Sequence, residues 1–129
     1  MHAGFDMMPA LDGINVLLVE DEMMVAMDIE FALQDAGALV VGPVDRVSKG
    51  VKLAADDTIQ IDLAILDVDL HGEAVFPVAE VLRRRGVPFL FHTGHATRAE
   101  IDAKFPGAPV CRKPMMVEHL IRTASRLLG

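Results

Sequence analysis

Two kinds of apolar segment alternate along this chain. The first kind is short, β-branched and almost continuously apolar: Asn15-Val-Leu-Leu-Val19, Leu39-Val-Val-Gly-Pro-Val44, Leu63-Ala-Ile-Leu66 closing on Asp67, Val87-Pro-Phe-Leu-Phe91, and the shorter Pro109-Val-Cys-Arg112. Such runs suit strands buried on both faces of a parallel sheet. Pro43 fits best near the end of the second, because it has no N–H to give a ladder. The second kind repeats its apolar residues every three or four positions. Val25, Ile29, Ala32 and Leu33 share one face of a helix over Met24 to Ala36, and Gly37 follows as its cap. Val47, Val51, Leu53 and Ala54 mark a weaker second helix. Val78, Val81 and Leu82 mark a third, with Pro77 in its first turn and Arg83, Arg84 and Arg85 at its end, where cations suit the helix dipole. Thr97-Arg-Ala-Glu100 reads as a capping box opening a short fourth helix that stops before Pro106. Val117, Leu120, Ile121, Ala124, Leu127 and Leu128 give a terminal amphipathic helix.

The alternation is (βα)5. It predicts an α/β fold: a five-stranded parallel sheet with helices on both faces, right-handed crossovers and the flavodoxin-like strand order 2-1-3-4-5. Residues 13–129 are expected to form one domain and residues 1–12 a loose tail. The last predicted helix runs to the end of the sequence, so no output domain is expected.

Composition narrows the function. The chain has 129 residues and a formal net charge of −7, with no basic stripe to neutralise nucleic-acid phosphates or anionic lipid. One cysteine, Cys111, excludes an internal disulfide framework and suits a reducing cytoplasm. Cys111 itself reads as a small buried strand residue. No secretory signal or membrane-spanning run is present in the sequence.

Ligands of an open α/β sheet bind beyond the carboxyl ends of its strands. Glu20-Asp21-Glu22 follow the first predicted strand, Asp67 and Asp69 the third, Thr93-Gly94 the fourth and Lys113-Pro114 the fifth. Clustered carboxylates repel unless a cation lies among them, and hard oxygen donors favour Mg²⁺. A lysine and a hydroxyl beside that ion can hold phosphoryl oxygens, leaving one carboxylate as acceptor.

These residues resemble the response-regulator receiver family, through Leu17-Leu-Val-Glu-Asp-Glu22, Leu63-Ala-Ile-Leu-Asp67, Thr93-Gly94 and Lys113-Pro114, in order and at family-like spacing over about residues 14–129. The resemblance implies that Asp67 is the phosphoacceptor, that Asp21 binds Mg²⁺ directly and that Glu20 acts through metal-bound water. It makes the Asp69 backbone carbonyl a further ligand, Thr93 the switch hydroxyl and Lys113 the phosphoryl-binding lysine. The implied donor is a sensor histidine kinase or a histidine phosphotransfer protein, and the implied homodimer surface is the face of helix four, strand five and helix five. One departure stands out. Receivers typically carry Tyr or Phe three residues before the lysine, where this chain has Val110, and the chain contains no Tyr. Phe91-His-Thr-Gly94 resembles instead the Phe-Ala-Thr-Gly signature of an atypical subgroup that lacks the aromatic switch and often pairs with HWE-type kinases, with His92 in place of Ala.

The expected function is therefore a single-domain response regulator, not a conventional enzyme, acting through an unidentified downstream protein or as a phosphate relay or sink. Two alternatives remain open. A phosphorylation-independent pseudo-receiver is favoured by Val110. A phosphatase of the haloacid-dehalogenase type is suggested by Asp67-Val-Asp69, but there the nucleophile strand usually opens the fold, whereas Glu20-Asp21 precede Asp67 here. Other residues read more plainly. Glu22 is expected as a charge at a helix start, and Arg83 to Arg85 as a solvated helix end. Met7-Met8, Met23-Met24 and Met115-Met116 are expected to pack or to lie in disordered chain. His92, His95 and nearby His71 lack the cysteines and spacing of a structural zinc site, and His95 is expected to line the acceptor site.

Overall fold

The structure, a computed structural model, describes residues 10–94, 96 and 98–129. Elements follow in the order β1 (Asn15–Val19), α1 (Met23–Asp35), β2 (Leu39–Val44), α2 (Val47–Ala55), β3 (Leu63–Asp67), β4 (Asp69–Leu70), β5 (Glu73–Ala74), α3 (Phe76–Arg84), β6 (Phe89–Thr93), α4 (Arg98–Lys104), β7 (Val110–Arg112) and α5 (Val117–Leu127). Five strands form one sheet in the order β2-β1-β3-β6-β7, all pairings parallel. Counting only these five, the order is 2-1-3-4-5, as the alternating pattern predicts.

Side chains on successive strand residues point to opposite faces. Leu17, Val19, Ala64, Leu66 and Phe91 therefore pack with α2, α3 and Ile101 of α4 on one face. Val16, Leu18, Leu63, Ile65, Leu90 and Cys111 pack with α1 and α5 on the other. The central strand β3 is buried along its whole length, which explains its unbroken apolar run. Aromatic rings fill one corner: Phe91 lies 5.6 Å from Phe105 and 5.9 Å from Phe76 between ring centroids. After α1, Gly37 takes φ +90° and the Ala38 N–H donates to the Leu33 carbonyl at 2.9 Å, which satisfies the helix end as a left-handed glycine cap does.

Several expectations need correction. The tail expected over residues 1–12 reaches too far, because Leu11 is fully buried with α1 and α5 and its N–H donates to Ala36 O at 2.9 Å. The strand expected at Val87–Phe91 lies two residues later, at Phe89–Thr93. Val87 is used to close α3 through Leu82 O, Pro88 has no N–H, and the ladder continues through the polar pair His92 and Thr93. Strand β2 is an exposed edge, with Leu39 59% accessible, and not a strand buried on both faces. Arg85 is half-buried and not simply a solvated end: its guanidinium donates to Ala54 O at 2.7 Å and Ile59 O at 3.2 Å, tying the end of α2 to α3. Met23 and Met24 do not pack, being 76% and 80% exposed. Met7, Met8 and the Thr97 of the expected capping box lie outside the described residues.

The sequence pattern also passed over a small antiparallel hairpin, β4–β5, directly after β3. Its two turn residues, His71 and Gly72, take φ of 52° and 87°. Positive φ at both central positions matches the twist of a tight two-residue hairpin.

Candidate functional site

The carboxyl ends of β1, β3, β6 and β7 meet at one edge of the sheet, and each delivers a polar side chain there. Parallel pairing sets the heights: Val19 pairs with Leu66, Asp67 with His92, and Thr93 with Arg112. Glu20 and Asp21 are therefore one and two residues past the Val19–Leu66 level, beside Asp67. Lys113 follows the last residue of β7, and its N–H donates to Thr93 O at 2.8 Å.

Glu20, Asp21, Asp67, Asp69, Thr93 and Lys113 come together. Lys113 Nζ lies 3.2 Å from Asp67 Oδ2, 3.1 Å from Glu20 Oε1 and 3.3 Å from Glu22 Oε1. Asp69 donates its N–H toward Asp67 Oδ1 at 3.4 Å, and its own carboxylate accepts the Gly72 N–H at 2.9 Å. Thr93 is buried, and its hydroxyl oxygen accepts the Ala96 N–H at 3.0 Å. A recess of about 140 Å³ opens above them, lined by Asp21, Glu22, Asp67, Asp69, Thr93 and Lys113.

Charge in this recess is unbalanced. Five acidic residues, Glu20, Asp21, Glu22, Asp67 and Asp69, line or adjoin it, and the carboxylates of Glu20, Glu22 and Asp67 share the single ammonium of Lys113. Burial and the neighbouring Glu20 carboxylate push Asp67 up to about 8, against the pull of Lys113. Burial would lower Lys113, but Asp67 and Glu20 outweigh it and raise its pKa. Burial would raise Asp21, yet the His71 N–H at 3.0 Å and further hydrogen bonding hold it below the usual carboxylate range. Carboxylate oxygens of Glu20, Asp21 and Glu22 lie within 4.8 Å of one another. An all-oxygen donor set with a surplus of negative charge fits a hard divalent cation such as Mg²⁺.

Three features of the site were not expected. Glu22 precedes α1 without capping it through its side chain, and instead turns to Lys113. The hairpin tip covers Asp21: the His71 ring stands 3.8 Å from Asp21 through Nδ1 and 3.8 Å from Asp45 through Nε2. His92 is buried, and its Nδ1 lies 4.0 Å from Glu20 Oε1. Burial, then the Lys113 ammonium, push His92 down to about 4, so its ring is neutral. The acidic triplet and the His-Gly turn pair were the available signals for the first two. His95 lies outside the described residues. Val110, where an aromatic residue is typical of receivers, is half-buried against the α2–α3 side of the core.

No family model matches the chain. Solved structures do. SdrG from Sphingomonas melonis Fr1 is 39% identical, with 92% of this chain and 97% of that one covered and a TM-score of 0.72. The BeF3-activated conformation of SdrG from Pseudomonas melonis Fr1 is 37% identical, with 89% and 96% covered and a TM-score of 0.71. A response regulator receiver protein from Sinorhizobium medicae WSM419 is 29% identical, with 92% and 96% covered and a TM-score of 0.81. Among curated proteins, the phyllosphere-induced regulator PhyR of Methylorubrum extorquens is 25% identical over 116 residues, or 88% of this chain. The chain spans 43% of the length of that relative. Given the strand order, the acidic edge and these likenesses across nearly the whole chain, it belongs to the response-regulator receiver family.

Proposed function

We propose that this domain accepts a phosphoryl group on Asp67 from a phosphohistidine, in a Mg²⁺-dependent reaction. The observation that carries the reading is the convergence on one small recess of Asp67, Lys113, Thr93 and the Glu20–Asp21 pair from four different strand ends. An Asp67 carboxylate oxygen would form the new P–O bond as the P–N bond of the donor breaks. The imidazole would leave with the electron pair and take a proton. The Lys113 ammonium would receive one phosphoryl oxygen, and the Thr93 hydroxyl another after giving up the Ala96 N–H. Glu20, Asp21, Asp67 and the Asp69 backbone carbonyl would hold the ion. Bound Mg²⁺ would neutralise carboxylate and phosphoryl charge together. SdrG, solved in a BeF3-activated conformation, supports this reading at 37% identity.

The donor would be a sensor histidine kinase or phosphotransfer protein. Phe91-His-Thr-Gly94 together with Val110 favours the subgroup without an aromatic switch and kinases of the HWE type. Residues 13–129, with Leu11 as an anchor, would make up one signalling module. It would act in the cytoplasm through a downstream protein, as a relay or sink, or as a homodimer through the α4–β7–α5 face. No described helix is long and apolar enough to cross a membrane. Val110 also favours a second reading, a pseudo-receiver that binds partners without phosphorylation.

Incubation with acetyl phosphate and Mg²⁺, followed by intact mass, separates the two. The first reading expects a phosphoryl adduct on the wild type, and none on Asp67→Asn or without Mg²⁺. Failure with acetyl phosphate and with candidate kinases, together with no Mg²⁺ binding, would leave the pseudo-receiver.

A further inference from the structure

His92 belongs to none of the roles assigned above, yet it is buried beside Glu20 at the edge of the site. It is 4% exposed, and neither ring nitrogen has a hydrogen-bond partner among the described residues. An unsatisfied buried polar group is costly, so a folded chain rarely keeps one without a use. Opposite its Nδ1, 4.0 Å away, stands Glu20 Oε1. That oxygen is itself buried and accepts no hydrogen bond; what it has is the Lys113 ammonium at 3.1 Å. The other oxygen, Oε2, is held differently, by the Glu22 backbone N–H at 3.1 Å as well as by Lys113 at 3.2 Å. Glu20 is therefore anchored at one oxygen by the backbone, while the other depends on a side chain.

Lys113 is shared in the resting site between Glu20, Glu22 and Asp67. To hold a phosphoryl oxygen on Asp67 it must turn away from Glu20. Glu20 Oε1, already without a hydrogen bond, would then lose its ammonium contact. Whatever charge a bound cation supplies to the acidic cluster, His92 Nδ1 is the remaining donor paired with that oxygen among the described residues. We infer that His92 is the alternate partner of Glu20, donating from Nδ1 to Oε1 when Lys113 engages the phosphoryl group. This rests on the proposed phosphoacceptor role of Asp67. The exchange needs no titration: a neutral imidazole carries one N–H, and in the Nδ1–H tautomer it points that donor at the carboxylate. Closing the gap from 4.0 Å to hydrogen-bond distance is a side-chain adjustment, not a strand movement. His92 is a positioning residue here, acting on the acceptor through Glu20 and Lys113.

The test uses the full chain with Mg²⁺ and beryllofluoride, read by nitrogen NMR of the histidine rings and by titration, beside acetyl-phosphate adducts. Wild type, His92→Ala and His92→Asn are compared; the Asn amide nitrogen sits where Nδ1 does. The His92 Nδ1 signal is expected to move into the hydrogen-bonded range on activation and not with Mg²⁺ alone. His92→Ala is expected to weaken beryllofluoride binding about tenfold, the worth of one hydrogen bond to a charge. His92→Asn is expected to recover most of it, which a merely space-filling role would not produce. Equal binding by wild type and His92→Ala, or an unmoved ring signal (as a bridging water would give), overturns the inference alone. A wild type that takes neither beryllofluoride nor phosphoryl overturns the reading of Asp67 and this inference with it.

Discussion

The Lys113 ammonium reaches Asp67 Oδ2 at 3.2 Å although β7 and β3 are not neighbours, with β6 lying between them. The contact spans 46 residues of sequence and links two strands that share no ladder. It also provides the only cation in contact with Asp67 among the described ion pairs.

Removing that cation leaves several carboxylates facing one another. Lys113→Ala should destabilise the metal-free protein by about 2 kcal/mol or more, as breaking a buried ion pair does. Added Mg²⁺ should return much of the loss, since it supplies positive charge at the same place. Thermal melts with and without Mg²⁺ measure both effects. A melting temperature unchanged in the absence of metal would contradict the electrostatic picture.

The elevated Asp67 carboxyl, at about 8, gives a signed pH dependence. An ordinary unfolded Asp titrates near 3.9, so between about pH 4 and pH 8 the folded state holds a proton that the unfolded state has lost. Stability of the metal-free protein from this group is present below about pH 4 and falls as pH rises toward 8. Asp67→Asn should flatten that slope and melt several degrees higher than the wild type at pH 8. Saturating Mg²⁺, which favours the ionised carboxylate, should narrow the gap. Melting curves from pH 5 to 8.5 test the sign directly.

A close approach of two helices sets a different limit. A Cβ placed on Gly50 of α2 would lie 2.8 Å from Val78 Cγ2 of α3. Alanine favours a helix over glycine by about 1 kcal/mol, but crowding a packed contact costs about 1–3 kcal/mol. Gly50→Ala should therefore destabilise on balance, and Val78→Ala added to it should cost less than Val78→Ala alone. A double-mutant cycle in urea reads that coupling.

Arg85 offers a test of structure separated from signalling. Its guanidinium satisfies Ala54 O and Ile59 O, on the side of the sheet edge away from Lys113. Arg85→Ala should cost about 1–3 kcal/mol in denaturant while leaving the Asp67 adduct unchanged. Arg85→Lys should recover less than half, because one ammonium cannot reproduce the guanidinium fork.

These cases show what the chain declares in advance. Strand runs such as Leu63 to Asp67 are legible because burial on both faces leaves no room for polar residues until the strand ends. The polar residue at each end is then conspicuous, which is how Asp67, Thr93 and Lys113 are found. Long-range partnership is less visible. Nothing local to Arg85 announces the carbonyls of Ala54 and Ile59, and Leu11 looks like tail until Ala36 is beside it. The two-residue strands β4 and β5 are too short to show a period. Thr93 and His92 masked the true end of β6, since polar residues argue for a loop unless a ligand site explains them. Glu22 was legible as a charge but not in its direction, which depends on where β7 delivers Lys113.

The borders of the sheet carry one more consequence. The outer strand β2 contains Pro43, and the opposite border, β7, is three residues long and set between Pro109 and Pro114. A proline offers no N–H, and so short a ribbon gives an incoming strand little to pair with. Both features disfavour lateral growth of the sheet by edge-to-edge pairing with its own copies. A partner that reads the proposed phosphoryl state of Asp67 would then meet helices and loops, where side chains and not backbone ladders set the choice.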